Sequence, residues 1–156
     1  MTQQELCGTA ENVAIDERLI AELIRAFYDR VRADPLIGPV FAARIHDWEP
    51  HLVRIGDFWS AVMLRSGRYQ GQPMRLHLPL PIDSTHFDRW LELFGATARE
   101  LCPSSIATQL IERAQSIGRS LEIGIAAAHG AILANGERYV RKPAPPNASR
   151  SSHQNS

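Results

Sequence analysis

From Asp16 to about Gly130 the apolar side chains recur three and four residues apart, and the runs they form are separated by proline, glycine or both. That spacing lines up one face of a helix and does not fit the strict alternation that a half-buried strand requires. The β-branched residues follow the same helical spacing, so no strand is expected and the chain reads as all-α. Ile20, Leu23, Ile24, Phe27, Tyr28 and Val31 form the first stripe, opening after Asp16, whose side chain can accept from the free amides of a first turn. Asp34-Pro35 and Gly38-Pro39 end it, because proline restrains the preceding residue and carries no amide proton. A short helical turn through Val40, Phe41 and Ile45 follows.

Asp47 can cap the next helix, with Pro50 in its first turn and His51, Ile55, Phe58, Trp59 and Val62 on one face. Gly67 to Pro73 reads as a loop, and Met74 to Leu78 leaves room for only a short helix before Pro79 and Pro81. A further segment opens near Asp83 or Ser84, with Phe87, Trp90, Leu91, Phe94, Ala98 and Leu101 on its inward face. The last long helix begins at Pro103 and Ser104, buries Ile106, Leu110, Ala114, Ile117, Leu121 and Ile125, and frays near Gly130. A single core suffices for 156 residues. The polar, aperiodic stretch 1–14 is expected to be flexible, residues 15–130 to form one domain, and the proline- and serine-bearing stretch 131–156 to be a disordered tail.

Seventeen Lys and Arg balance seventeen Asp and Glu, so the chain has no broad field to draw in nucleic acid or an anionic membrane, and a small neutral partner fits better. Cys7 and Cys102 share no disulfide- or zinc-type spacing and read as free thiols. The start, MTQQELCGTAENVA, lacks the basic and apolar regions of a secretory leader, and no stretch reaches membrane-spanning length, so the cytoplasm is the expected compartment.

Four side chains pair a polar atom with a position expected to face the core: Tyr28, His51, His77 and Trp90. Each unpaired buried polar group costs about 1–3 kcal/mol, and a small helical domain has few spare acceptors. Either each finds a local partner, the ordinary fate of a core histidine or tryptophan, or a bound group takes up several of them. Haem suits the second case, since its iron takes a neutral imidazole and its faces are apolar. A carboxylate-bridged di-iron site suits it poorly, because the chain lacks the paired Glu-x-x-His motifs. With no C-x-x-C-H motif, a haem here would be of the b type, held by ligation and burial alone.

The runs FYDRVRADPLIGPVF, IHDWEPHLVRIGDFWSAVML, GRYQGQPMRLHLPLP and HFDRWLELF, in that order, resemble the group III truncated haemoglobins. The resemblance covers about residues 15 to 128, and its D-F-W-S, G-x-P-M-x-x-H and H-F-x-R-W blocks are specific. It implies a two-over-two helical sandwich around a haem, with His77 as the proximal iron ligand. It further implies that Tyr28 and Trp90 donate to a diatomic ligand, O2, NO or CO, from two sides. His51 falls at the distal histidine position, where it can gate, donate, turn to solvent or pair with a haem propionate. Ile55 and Phe58 would line the distal face, Phe41 would contact the cofactor, and Arg54 is the arginine expected to pair with a propionate, ahead of Arg44 and Arg75. His86, at a helix start, is expected to cap or face solvent.

The expected function is reversible binding of O2 and other diatomics. Two alternatives stay open: a haem enzyme of the NO dioxygenase or peroxidase type fed by an external reductase, and a cofactor-free helical module that docks a partner through its Trp and Phe faces.

Overall fold

Six helices organise residues 15–142, which are the residues described by the computed structural model: α1 (Glu17–Ala33), α2 (Gly38–Ala42), α3 (Trp48–Leu64), α4 (Pro73–His77), α5 (Ser84–Leu101) and α6 (Ser104–Ala128). No strand occurs among the described residues. The helix starts follow the local chemistry read from the sequence. Asp16 accepts from the Leu19 amide at 2.8 Å. At the head of α5, Asp83 accepts from the Thr85 amide at 3.0 Å, while the His86 Nδ1 accepts from the Asp83 amide at 3.1 Å, a reciprocal cap that gives His86 its expected place. Asp47 precedes α3 as expected but makes no side-chain cap bond. The third helical residue there is Pro50, which has no amide proton for a capping side chain to accept.

The turn after α1 is built around Asp34, whose side chain is almost wholly buried. Its Oδ2 accepts from the amides of Leu36 and Ile37, each at 3.0 Å, and its Oδ1 accepts from Arg89 Nε at 2.7 Å. These bonds hold its carboxyl below the usual carboxylate range against the opposing effect of burial, the Ile37 amide contributing most. Gly38 then lets α2 fold back on the end of α1, because a Cβ there would sit 3.0 Å from the carbonyl oxygens of Val31 and Arg32.

Helix α1 packs on α3 and α5 packs on α6, with α1 crossing α5, so the architecture is two helices over two. Phe27, Phe94, Leu23, Ile24 and Leu110 are fully buried where the pairs meet. The stripes of α1 and α6 face inward as read. On α5 the stripe ends one residue later than expected: Leu101 is 42% exposed and Cys102 takes the buried place, as the chain leaves the helix toward Pro103. Cys102 is a free thiol, and Cys7 lies outside the described residues. No helix among the described residues is long and apolar enough to cross a membrane.

Past Gly130, where the sequence leads one to expect a loose tail, residues 131–142 run without helix against α5 and α6 and bury Tyr139. The physical reason is Glu122, a carboxylate only 1% exposed, which Arg138 reaches from that segment at 2.8 Å. The rest of the expected tail, 143–156, and the expected flexible segment 1–14 lie outside the described residues.

Replacing Asp34 by Ala strips the turn of its acceptor and leaves two amides and Arg89 without it, so denaturant unfolding should show a loss of about 1.5–3 kcal/mol. Asp34→Asn keeps an acceptor oxygen for the amides and should lose less. The depressed carboxyl pKa adds a pH signature: its stabilisation is present above the unfolded value and disappears as pH falls through the folded one. The gap between wild type and Asp34→Asn should therefore shrink on acidification below the ordinary aspartate range.

Candidate functional site

A cavity of about 550 Å³ opens between the two helical layers, lined by Tyr28, Phe41, His51, Arg54, Ile55, Phe58, His77 and Trp90 among others. Helix α1 contributes Tyr28, α2 contributes Phe41, and α3 contributes His51, Arg54, Ile55 and Phe58. Helix α4 brings His77 and α5 brings Trp90, while α6 closes the wall with Ile117, Gly118 and Leu121. Stripes on separate helices converge because each is buried against the same centre.

His77 ends the single-turn helix α4, between the loop that follows Gly67 and the break at Pro79. Its Nδ1 lies 2.5 Å from the carbonyl oxygen of Pro73. A carbonyl oxygen only accepts, so Nδ1 carries a proton, and in the neutral ring that leaves the lone pair on Nε2, the atom with which such an imidazole binds a metal. The helix rests on α6 at Gly124, where a Cβ would come within 2.3 Å of Met74 Sδ.

Tyr28 is buried, and burial pushes its phenol well above the ordinary range, an effect the neighbouring Trp90 side chain partly opposes. The hydroxyl therefore stays a donor at neutral pH. His51 stands edge-on to the Tyr28 ring, 6.1 Å between centroids, and edge-on to Trp48 at 5.6 Å. Its Nε2 is buried with no hydrogen-bond partner. Desolvation lowers the pKa of this imidazole, helped by the charge of Arg54, so it is neutral and ready to meet a guest.

Arg54 and Arg44 reach the cavity wall and make no ion pair among the described residues, whereas Arg75 does not line it. Several lining residues escaped the sequence reading, Tyr69 and Gly118 among them. Tyr69 sits in an aperiodic loop that carries no helical signal, and packs edge-on against Phe58 at 5.3 Å. Gly118 could have been found, because it falls on the buried stripe four residues after Ala114, where a missing side chain leaves space.

The donor set tests what the cavity can hold. No group of three or more His, Cys, Asp or Glu side chains among the described residues could hold a metal ion by itself. One free imidazole nitrogen, an apolar wall, a second orphaned imidazole and two cations without acid partners fit a metal that arrives in its own macrocycle with acidic edges.

The profile of the bacterial-like globins matches residues 10–118. The chain is 35% identical over 108 residues to a group 3 truncated hemoglobin of Campylobacter jejuni, covering 66% of this chain and 85% of that protein. It is 31% identical over 81 residues to a group 2 truncated hemoglobin of Bacillus subtilis, covering 50% of this chain and 61% of the other. Among solved structures it is similar to the group III truncated hemoglobin from Campylobacter jejuni, with TM-score 0.68 and 33% identity, over 70% of this chain and 91% of that one. It is also similar to the truncated oxygen-avid haemoglobin from Bacillus subtilis, with TM-score 0.62 and 26% identity, over 69% of this chain and 93% of that one.

The orphaned imidazole yields a measurable cost. In the ligand-free protein, His51→Leu should raise stability by about 1–3 kcal/mol, since an apolar side chain of similar size needs no partner. The sign with pH is fixed by the lowered pKa: the unfolded chain binds a proton at the ordinary histidine value, the folded one only below it. Wild type should therefore lose stability relative to His51→Leu as pH drops below about 6.5. Urea melts at several pH values check both statements.

Proposed function

The chain belongs to the bacterial-like globins, and within them to the group III truncated haemoglobins; from that premise we propose that it holds a b-type haem through His77 and binds O2, NO or CO beside Tyr28 and Trp90. The observation that carries this reading is His77, whose Nδ1 meets the Pro73 carbonyl, lining the cavity that also receives a buried phenol, an indole and a partnerless imidazole. When bound, haem would supply an iron that can take an imidazole and a diatomic ligand.

The chain's own residues then have distinct tasks. His77 offers Nε2, and the Pro73 carbonyl keeps its other nitrogen protonated and its ring oriented. Phe41, Ile55 and Phe58 give the macrocycle apolar contacts and keep water out. Arg54, with Arg44 as a second candidate, pairs with the carboxylates of the cofactor's edge. The Tyr28 hydroxyl and the Trp90 indole N–H are aimed donors in a place with little competing water, which favours a partly negative guest such as O2. His51 is a third polar group at the same wall and either donates to the guest or admits it by turning outward.

Donors on two sides make release slow, and one structural relative is named oxygen-avid. Slow release favours retention of O2, or its conversion with NO to nitrate, over carriage; reduction of peroxide is the separate peroxidase alternative. The reactive alternative needs electrons from an external reductase, and turnover of NO under steady reduction tells it apart from binding.

Absorption spectra of the purified protein, oxidised, reduced and with CO, test the reading first. A Soret band that shifts with CO is expected. A colourless protein that stays so after haem addition would point to the cofactor-free module instead. His77→Gly should lose the native fifth ligand and regain a similar spectrum when imidazole is added; an unchanged ligand signature in that variant sinks the assignment. Tyr28→Phe and Trp90→Leu should each speed O2 release about 2- to 12-fold, the kinetic equivalent of one donor worth about 0.5–1.5 kcal/mol. Stopped-flow dissociation against CO measures this.

A further inference from the structure

We infer that Arg138 and Tyr139, which lie beyond the family match ending at residue 118, position the turn behind α4 and through it the orientation of His77. The statement about His77 rests on the haem reading above; the statement about the turn does not.

Segment 131–142 contributes no side chain to the cavity wall, so its influence on the cavity passes through what it touches. It is pinned at one place by charge. Glu122 on α6 is buried, and accepts from Arg119 Nη1 at 2.7 Å, from Arg138 Nη2 at 2.8 Å and Nε at 3.1 Å, and from the Tyr139 amide at 3.3 Å. Arg138 also reaches Asp88 on α5 at 2.6 Å. A buried carboxylate tolerates its place only while these donors surround it, so the pin is directional as well as strong. Beside it the Tyr139 ring packs with Ile82, Phe87, Ile125 and Ala126, and its hydroxyl meets His129 Nδ1 at 2.7 Å.

From that anchor the segment grips the turn between α4 and α5. The Ser84 amide donates to the Tyr139 carbonyl at 2.9 Å, the Arg141 amide donates to Asp83 Oδ2 at 3.1 Å, and Arg141 Nη1 donates to the Pro81 carbonyl at 2.9 Å. The gripped turn carries Leu80 and Ile82 into the cavity wall, and the Leu80 amide donates to the His77 carbonyl at 3.0 Å. A continuous path thus runs from Glu122 through Arg138 and Tyr139 to the residue bonded to His77. Helix α4 is five residues long and cannot hold its own direction. Its place is set by α6 beneath it and by this turn at its end.

Hydrogen exchange read by mass spectrometry on the full chain, in wild type, Arg138→Gln, Tyr139→Ala and Tyr139→Phe, tests the inference. Arg138→Gln and Tyr139→Ala should speed exchange of residues 73–84 about tenfold or more while α1 and α3 keep wild-type rates. Tyr139→Phe keeps the buried ring and should match wild type. In the reduced protein the iron–histidine stretching band should shift or broaden in the first two variants and stay put in the third. Unchanged exchange at 73–84, or an equal rise in every helix, overturns the positioning role; faster local exchange with an unmoved iron–histidine band overturns its extension to His77. If wild type takes up no haem, the haem reading fails on its own, and exchange alone decides whether the turn is held by these residues.

Discussion

A layer of aromatic rings between α1, α3 and α5 is the contact on which the remaining geometry depends. Trp59 from α3 stacks on Phe94 from α5 with centroids 4.9 Å apart, and Phe94 continues the stack to Trp90 at 5.6 Å. Phe27 from α1 meets Phe94 edge-on at 5.2 Å and Trp90 at 5.7 Å, and touches the Tyr28 ring at 4.8 Å. Each such pair is worth about 0.5–1.5 kcal/mol beyond its buried area, and the rings fill their space so fully that none can slide alone. The consequence is indirect but decisive. Trp90 and Tyr28 are fixed by their apolar neighbours on the packed side, and both line the cavity on the other. An empty space of this size would otherwise favour collapse of its walls, since missing contacts cost free energy in proportion to the void. The rigid layer resists that collapse.

Much of this was legible in the chain before any coordinates. Burial imposes a period, and Tyr28, His51 and Trp90 share stripes with Phe27, Ile55 and Phe94, so their inward placement follows from the same force that places the core. His77 was different. A histidine in a five-residue helix between prolines has no stripe to sit on, so although its position could be expected to face the core, only the resemblance of its block to a known family singled it out as a ligand. Where the reading stopped short, the cause was an interaction between residues far apart in sequence. Glu122 has the look of a solvated helix acid until Arg138, 16 residues on, covers it. Tyr69 enters the cavity because Ser60, Ser66, Glu17 and Arg68 tie down its loop through bonds such as Ser60 Oγ to Glu17 Oε1 at 2.6 Å. No local pattern announces such a tie.

The charges divide along the same line as the packing. Most acids that face the folded body are taken up by an arginine: Asp34 by Arg89, Glu122 by Arg138, Glu49 by Arg25 and Glu100 by Arg30. The exposed pairs contribute little to stability, being screened by water. Their effect is rather to neutralise the outer surface and leave Arg44 and Arg54 at the cavity as cations without an acid partner among the described residues. A chain with no net charge thus keeps positive charge at the cavity where acidic groups at a cofactor's edge would need it.

The contrast between the two sides of the cavity then follows from element length. Tyr28, His51 and Trp90 stand on helices of 17, 17 and 18 residues, long enough to be braced by many neighbours. His77 stands on a helix of five, too short to be stable in isolation. Its tautomer is set locally, by the carbonyl one turn back, and its position is set from outside, by Gly124 beneath and by the turn after Pro79. The chemical state of the imidazole and its placement are therefore controlled by separate parts of the chain, so either can change without the other.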